Sequence, residues 1–139
     1  WANPGQNFED MIVEVEAQLS AGGEDNFFGV ICRYQDESNF YFFIISSDGF
    51  YGIAKVSDGE QVLVGLESME YSEAINQGNN TNRLRADCIG QTLTLYVNDQ
   101  QLLQVTDAQF GSGDVGLIAG TFDVAGTDIH FDNFVVRQP

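Results

Sequence analysis

The stretch Met11–Leu19, MIVEVEAQL, alternates apolar and polar side chains along most of its length. The polar positions Glu14, Glu16 and Gln18 interleave with apolar ones: Met11, Val13, Val15, Ala17 and Leu19. Because successive side chains of a β-strand point to opposite faces of a sheet, this period of two predicts a strand with one buried face and one wet face.

The same period recurs along the rest of the chain. Segments of this kind, separated by turn residues such as Ser57-Asp58-Gly59 and Asn98-Asp99, predict an all-β chain. The ten predicted strands are Met11–Leu19, Phe27–Tyr34, Phe40–Ser46, Phe50–Val56, Gln61–Leu66, Arg83–Ile89, Thr92–Asn98, Gln101–Thr106, Val115–Thr121 and Asp128–Val136. Only Ser68–Thr81 breaks the rhythm, and we interpret it as a long loop with room for one helical turn.

Length and charge limit the classes of protein that fit. The 139 residues predict a single domain over residues 1–139. The formal net charge of −16 predicts that nucleic acid and anionic membrane surfaces are repelled. The longest apolar run is Phe40–Ile45, far below the roughly 18 residues of a membrane-spanning helix, so no membrane insertion is expected.

Two cysteines, Cys32 and Cys88, lie 56 positions apart in strand-like segments. This spacing excludes a CxxC redox or zinc motif. Two buried free thiols and a disulfide both fit the residues. The disulfide is favoured because low Lys content, high Gly and Asn content and a sandwich-like pattern are typical of exported proteins, in which disulfides persist.

Seven segments together resemble the concanavalin A-like (laminin G-like) jelly-roll superfamily. They are FGVICRY at 28–34, NFYFFI at 39–44, DGFYGI at 48–53, NRLR at 82–85, LTLYVND at 93–99, GDVGL at 113–117 and FDNFVV at 131–136. Among its members the chain is distantly similar to bacterial exported modules such as the 3-keto-disaccharide hydrolase domain. The resemblance implies a two-sheet antiparallel jelly-roll sandwich with a concave face on which relatives bind saccharides.

Such modules usually open with a further strand, which is lacking before Trp1. The expectation is therefore a single jelly-roll domain without its opening strand. An edge strand left unpaired in this way invites pairing with another chain, so a homo-oligomer joined through edge strands is one expected partner.

The predicted ligand-binding residues depend on one assumed pairing of two strands. If Cys32 and Cys88 face each other on neighbouring antiparallel strands, Arg33 lies opposite Asp87, and parity adds Arg83 and Arg85 to that face. Guanidinium groups can bind sugar hydroxyls or a carboxylate, and Tyr41 and Tyr51 are predicted to supply stacking platforms. The alternative is a cross-strand salt-bridge ladder that stabilises the sheet and binds nothing.

No catalytic residues are predicted. Glu14 and Glu16 have a spacing that carboxylate pairs of glycosidases use, but a solvated outer face explains them better. His130 is the only histidine and sits among apolar strand residues. Gly111–Gly116 fits the letters of GxGxxG, yet a strand rather than a helix follows it.

No cofactor is expected apart from a structural calcium ion, which the resemblance allows. Hard oxygen ligands for such an ion are Asp25, Asn26, Asp48, Asp123, Asp128 and Asp132.

The sequence thus favours a non-catalytic extracellular or cell-surface module for recognition or adhesion. Its expected ligand is a polysaccharide or surface glycan bound on the concave sheet. The first alternative is a structural subunit that self-assembles through its edge strands into an extracellular polymer, and the second is a glycoside-cleaving enzyme.

Overall fold

The computed structural model describes residues 9–21, 26–46, 49–65, 67–76, 81–121 and 128–137. Within them the regular elements are eleven β-strands. These are β1 (Met11–Ala21), β2 (Asn26–Asp36), β3 (Asn39–Ser46), β4 (Phe50–Ser57), β5 (Glu60–Leu63), β6 (Glu70–Tyr71), β7 (Thr81–Ile89), β8 (Thr92–Val97), β9 (Gln100–Thr106), β10 (Asp114–Thr121) and β11 (Asp128–Arg137). The described part of the chain contains no helix that could cross a membrane.

The strands form two antiparallel sheets. The five-stranded sheet has the order β11-β1-β7-β8-β9, and the six-stranded sheet has the order β10-β2-β3-β4-β5, with β6 paired to β4 beyond this path. The predicted all-β, two-sheet jelly-roll sandwich is therefore confirmed. The period of two was a sufficient signal for the strands, because one face of each sheet packs on the other sheet, and the two-sheet jelly roll was implied by the resemblance.

The core lies between the two sheets. From β1 it takes Met11, Val13, Val15 and Ala17, each at most 1% exposed, so the alternation read from the sequence holds. Facing them from the six-stranded sheet are Phe28, Val30, Phe43, Ile45 and Ile53, together with residues of β10. The outer face of the six-stranded sheet carries a second apolar cluster of Ile31, Phe40, Phe42, Ile44 and Ala54.

The disulfide between Cys32 and Cys88 is confirmed, but the strand pairing assumed for it was wrong. Cys32 lies on β2 of the six-stranded sheet and Cys88 on β7 of the five-stranded sheet, so the bond joins the two sheets through the core. β7 pairs with β1 and β8, and β2 pairs with β10 and β3. Arg33 is consequently not opposite Asp87.

The predicted loop Ser68–Thr81 contains a short strand, β6, where Tyr71 pairs with Phe50. A turn follows it, closed by the bond from the Ile75 amide to the Ser72 carbonyl, and residues 68–76, the part of this loop described before β7, contain no helical turn. The buried Asn82 side chain fixes this segment, because its amide oxygen accepts from the Asn76 backbone at 2.7 Å and its amide nitrogen donates to the Asn76 carbonyl at 2.8 Å.

Candidate functional site

Arg33 does not face solvent as the alternation predicted. Its side chain is 1% exposed, and its backbone has a φ of 54° at a register shift after Cys32. Such a bulge turns the side chain away from the face that parity assigns to it. The prediction that Arg33 belongs to a ligand-binding surface with Arg83, Arg85 and Asp87 is therefore wrong in its geometry.

The Arg33 guanidinium instead joins the ends of the two sheets. It donates to the backbone carbonyls of Glu9, Cys88, Gly90 and Phe110, with the shortest bonds at 2.7 Å to Glu9 and Gly90. The Asp10 carboxylate lies 3.5 Å away. Burial lowers the pKa of Arg33. This arrangement satisfies buried carbonyl groups and has a structural role.

Tyr41 and Tyr51, predicted as stacking platforms, both belong to the core between the sheets. The Tyr41 hydroxyl donates to the Asp107 carboxylate and accepts from the Phe110 amide at 3.1 Å. Burial, with the bond to Asp107, raises the pKa of Tyr41 to about 12. Tyr51 is 7% exposed, so neither ring offers a free face to a ligand.

The remaining predicted residues, Arg83, Arg85 and Asp87, do share one face. Because Leu84, Ala86 and Cys88 of β7 point into the core, the alternate residues point outward from the five-stranded sheet. We call this outward surface the polar face. Strand β8 lies beside β7, with Tyr96 opposite Arg85 and Thr94 opposite Asp87.

Arg85 is held in one orientation by two neighbours. Its Nε and Nη2 donate to the two Asp87 carboxylate oxygens at 2.7 and 2.8 Å. Its guanidinium carbon lies 4.6 Å from the centroid of the Tyr96 ring. The hydrogen bonds to Asp87, which outweigh the effect of burial, raise the pKa of Arg85. The Arg85 side chain nevertheless stays 32% exposed, so the oriented guanidinium reaches solvent.

Further polar side chains of the polar face, on β8 and β9, lie on the side of β7 toward β9. Gln104 Nε2 donates to Thr94 Oγ1 at 3.2 Å, and Thr94 is 4% exposed although it faces outward. We call Arg85, Asp87, Thr94, Tyr96 and Gln104 the Arg85 cluster. Sequence reasoning missed the last three. The alternation of Thr94 and Tyr96 with the core leucines of β8 was the available signal, but only the register with β7 assigns them to Arg85.

Three further ion pairs flank the Arg85 cluster, and two of them occupy the carboxylates considered for catalysis. Arg83 lies 3.7 Å from Glu16 and 3.7 Å from Asp99, and Arg137 lies 3.4 Å from Glu14. The side chain of His130 lies outside the described residues. Gly111–Gly116 leads into strand β10 rather than a helix, which is the geometry expected of a chance GxGxxG match.

The side chains predicted to bind calcium are not among those that the structure describes. Of the six oxygen ligands named for calcium, Asp25, Asp48 and Asp123 lie outside the described residues, and only the backbone is described for Asn26, Asp128 and Asp132. Among the side chains that the structure describes, no group of three or more His, Cys, Asp or Glu could hold a metal ion. The calcium site stays a prediction.

No protein-family model matches the sequence, and no curated protein matches it. Solved structures match the fold. The carbohydrate-binding module CBM66 from Bacillus subtilis has a TM-score of 0.80 at 17% identity, covering 96% of this chain and 78% of that chain. Sheep galectin-11 in complex with glycerol has a TM-score of 0.66 at 17% identity, covering 98% and 95%.

An enzyme has the same fold in part of its length. The xylan β-1,4-xylosidase from Bacillus halodurans has a TM-score of 0.65 at 15% identity, covering 94% of this chain and 28% of that chain. Identities this low establish the fold alone. The jelly-roll fold predicted from the sequence is therefore confirmed, and the chemistry has to be argued from the side chains.

Proposed function

We propose that the chain is a non-catalytic carbohydrate-binding module that works outside the cell, with its glycan site at the Arg85 cluster. The observation that carries this proposal is the exposed, oriented guanidinium of Arg85, held by Asp87 and Tyr96 beside Thr94 and Gln104. Sugar hydroxyls both donate and accept hydrogen bonds, and this cluster supplies donors and acceptors on a rigid sheet.

The contrast between the two outer faces supports this choice of site. The outer face of the six-stranded sheet is built from aliphatic and aromatic side chains that are largely buried, such as Phe42 at 3% and Ile44 at 5% exposed. The polar face carries guanidinium, carboxylate, hydroxyl and amide groups. Polysaccharides present many hydroxyls per unit area, so the polar face is the better match.

A disulfide supports the proposed extracellular location. Cys32 and Cys88 are bonded, and such bonds form and persist mainly in oxidising compartments. The proposed absence of catalysis draws support from the ion pairs of Glu14 and Glu16, because a carboxylate engaged by arginine is a poor general acid.

The test is retention on immobilised polysaccharides. We expect Arg85→Ala to weaken binding by at least tenfold, since a hydrogen bond to a charged group contributes about 1.5–3 kcal/mol. Arg85→Lys keeps the charge beside Asp87 but loses the planar fork, so it should weaken binding without unfolding the protein. Equal retention of wild type and both variants would overturn this site.

Arg137→Ala is the matched control. It removes the same charge from the same sheet, but Arg137 lies on β11, two strands and about 10 Å from β7. We expect it to bind like the wild type. Hydrolysis of the retained polysaccharide, lost in Glu14→Gln, would instead favour the glycoside-cleaving enzyme.

A second candidate function, self-assembly through edge strands, is favoured by one observation. Within the described chain β9 pairs only with β8, and its sequence QQLLQVT has no charged residue and no proline, the features that usually protect an edge. Size-exclusion chromatography tests this candidate. Gln101→Lys combined with Thr106→Lys, both exposed positions of β9, should dissociate an assembly built on this strand, whereas a monomeric wild type would exclude it.

A further inference from the structure

We propose that the ligand of the Arg85 cluster is an uncharged glycan, recognised through two neighbouring hydroxyl groups, and that the module rejects glycans bearing uronate or sulfate. This inference rests on the proposed function and names the class of glycan that the same site accepts. It is supported by the ion pairs that the five lysine and arginine residues of the chain form.

Each lysine and arginine side chain of the protein forms an ion pair with a carboxylate. The sequence contains five such residues, and all five are described. The pairs are Arg33 with Asp10 at 3.5 Å, Lys55 with Asp107 at 2.8 Å, Arg83 with Glu16 at 3.7 Å, Arg85 with Asp87 at 2.7 Å and Arg137 with Glu14 at 3.4 Å. An anionic sugar would therefore meet no lysine or arginine whose positive charge is not already balanced by a carboxylate of the protein.

The polar face also repels anions as a whole. Three guanidinium groups there stand against four carboxylates, because Arg83 contacts Asp99 in addition to Glu16. These seven ion-paired groups, counted among the side chains that the structure describes, sum to a net charge of −1 within a chain of net charge −16. The field of the whole protein disfavours an approaching polyanion before any contact is made.

The Arg85–Asp87 pair offers what a neutral diol needs. A guanidinium has five N–H donors, and Arg85 gives two of them to Asp87. Each Asp87 oxygen accepts one of these bonds, and an ionised carboxylate has further lone pairs. Donor and acceptor atoms thus lie side by side, which is also the arrangement of two hydroxyls on adjacent ring carbons. Such a diol binds both ions without breaking their bond.

The experiment compares matched polymers. Soluble glucan, mannan and galactan are each used unmodified, after oxidation of the C6 hydroxyl to a carboxylate, and after methyl esterification of that carboxylate. We expect the oxidised forms to bind on the order of tenfold more weakly at low ionic strength and the methyl esters to regain most of the binding. High salt should shrink the difference, because it screens the repulsion.

Periodate oxidation is the second part of the experiment, because periodate cleaves the bond between two adjacent carbons that each bear a hydroxyl. We expect periodate-treated polymers to lose binding. Oxidised polymers bound as tightly as unmodified ones, with both lost in Arg85→Lys, would overturn the uncharged-ligand inference while leaving the proposed function intact. Binding of no polymer in any form would overturn both.

Discussion

Arg85 and Tyr96 are directly opposed residues of β7 and β8, and the guanidinium carbon of Arg85 lies 4.6 Å from the Tyr96 ring centroid. One face of the Tyr96 ring is thereby covered by the guanidinium. We expect the ring to position Arg85, because cation–π attraction holds the guanidinium over the ring while two hydrogen bonds to Asp87 fix its orientation.

The first prediction concerns this positioning. Tyr96→Leu should weaken glycan binding about twofold to fivefold, because an exposed cation–π contact contributes about 0.5–1 kcal/mol. Tyr96→Phe keeps the ring and should bind like the wild type. Isothermal titration with the polysaccharide retained by the wild type measures both. If Tyr96→Phe lost as much affinity as Tyr96→Leu, the hydroxyl rather than the ring would be the contributing group.

The second prediction concerns the buried Arg33. Arg33→Met should lower the free energy of unfolding by about 3–5 kcal/mol, because it leaves the carbonyls of Glu9, Cys88, Gly90 and Phe110 without their donor. Urea unfolding followed by circular dichroism measures this change. A loss below 1 kcal/mol would show that water replaces the guanidinium.

Arg137→Met is the control for that measurement. Arg137 is 50% exposed, and its contact with Glu14 is a surface ion pair. Such pairs contribute about 0–1 kcal/mol, so this variant should unfold close to the wild type. The comparison separates the role of burial from the loss of a positive charge.

The period of two predicted the all-β class and the face on which Arg83, Arg85 and Asp87 lie, whereas the two-sheet jelly roll was implied by the family resemblance. It succeeded because side-chain direction in a regular strand depends only on parity. It failed at Arg33, where a bulge with a positive φ interrupts the strand. An arginine at such a position gives no sequence signal of the kind that glycine or asparagine gives.

The pairing of the strands could not be predicted in the same way. The alternation of apolar and polar residues shows which face of the strand Cys32 lies on. The same alternation is expected whether Cys88 lies on a neighbouring strand or on the opposite sheet. The structure places the two cysteines on different sheets. The other members of the Arg85 cluster on β8 and β9 could not be predicted for the same reason, since their proximity to Arg85 depends on the register between strands.

The third prediction follows from the disulfide that joins the sheets. The bond closes a loop between two cysteines with a sequence separation of 56, and breaking it gives the unfolded chain more conformational freedom. Chain-entropy arguments then give a loss of about 4 kcal/mol in the free energy of unfolding. Protein reduced in urea and refolded with reductant present should therefore unfold at a lower denaturant concentration than the oxidised protein.

The double variant Cys32→Ala/Cys88→Ala is the control for reduction. Its unfolding midpoint should not respond to reductant, and it should lie near that of the reduced wild type. A reduced protein as stable as the oxidised one would show that packing of the two sheets alone determines stability.

The last prediction concerns pH and the Tyr41 hydroxyl. Its pKa is raised from 10.0 to about 12, first by burial and then by the hydrogen bond to Asp107. A group whose pKa is higher in the folded protein contributes stability that is complete below its unfolded pKa and is lost as the pH rises toward its folded pKa. The free energy of unfolding should therefore fall by about 2 kcal/mol between pH 9 and pH 11.5 on account of Tyr41.

Tyr41→Phe isolates this contribution from the other tyrosines, including Tyr51, whose pKa burial also raises. The variant should be less stable at pH 8, because the amide of Phe110 and the carboxylate of Asp107 both lose their hydrogen bond to the Tyr41 hydroxyl. Its stability should then decline less steeply above pH 9 than that of the wild type. Urea unfolding at half-unit pH steps measures both slopes. Parallel profiles for the two proteins would show that Tyr41 ionises in the folded protein as it does in the unfolded chain.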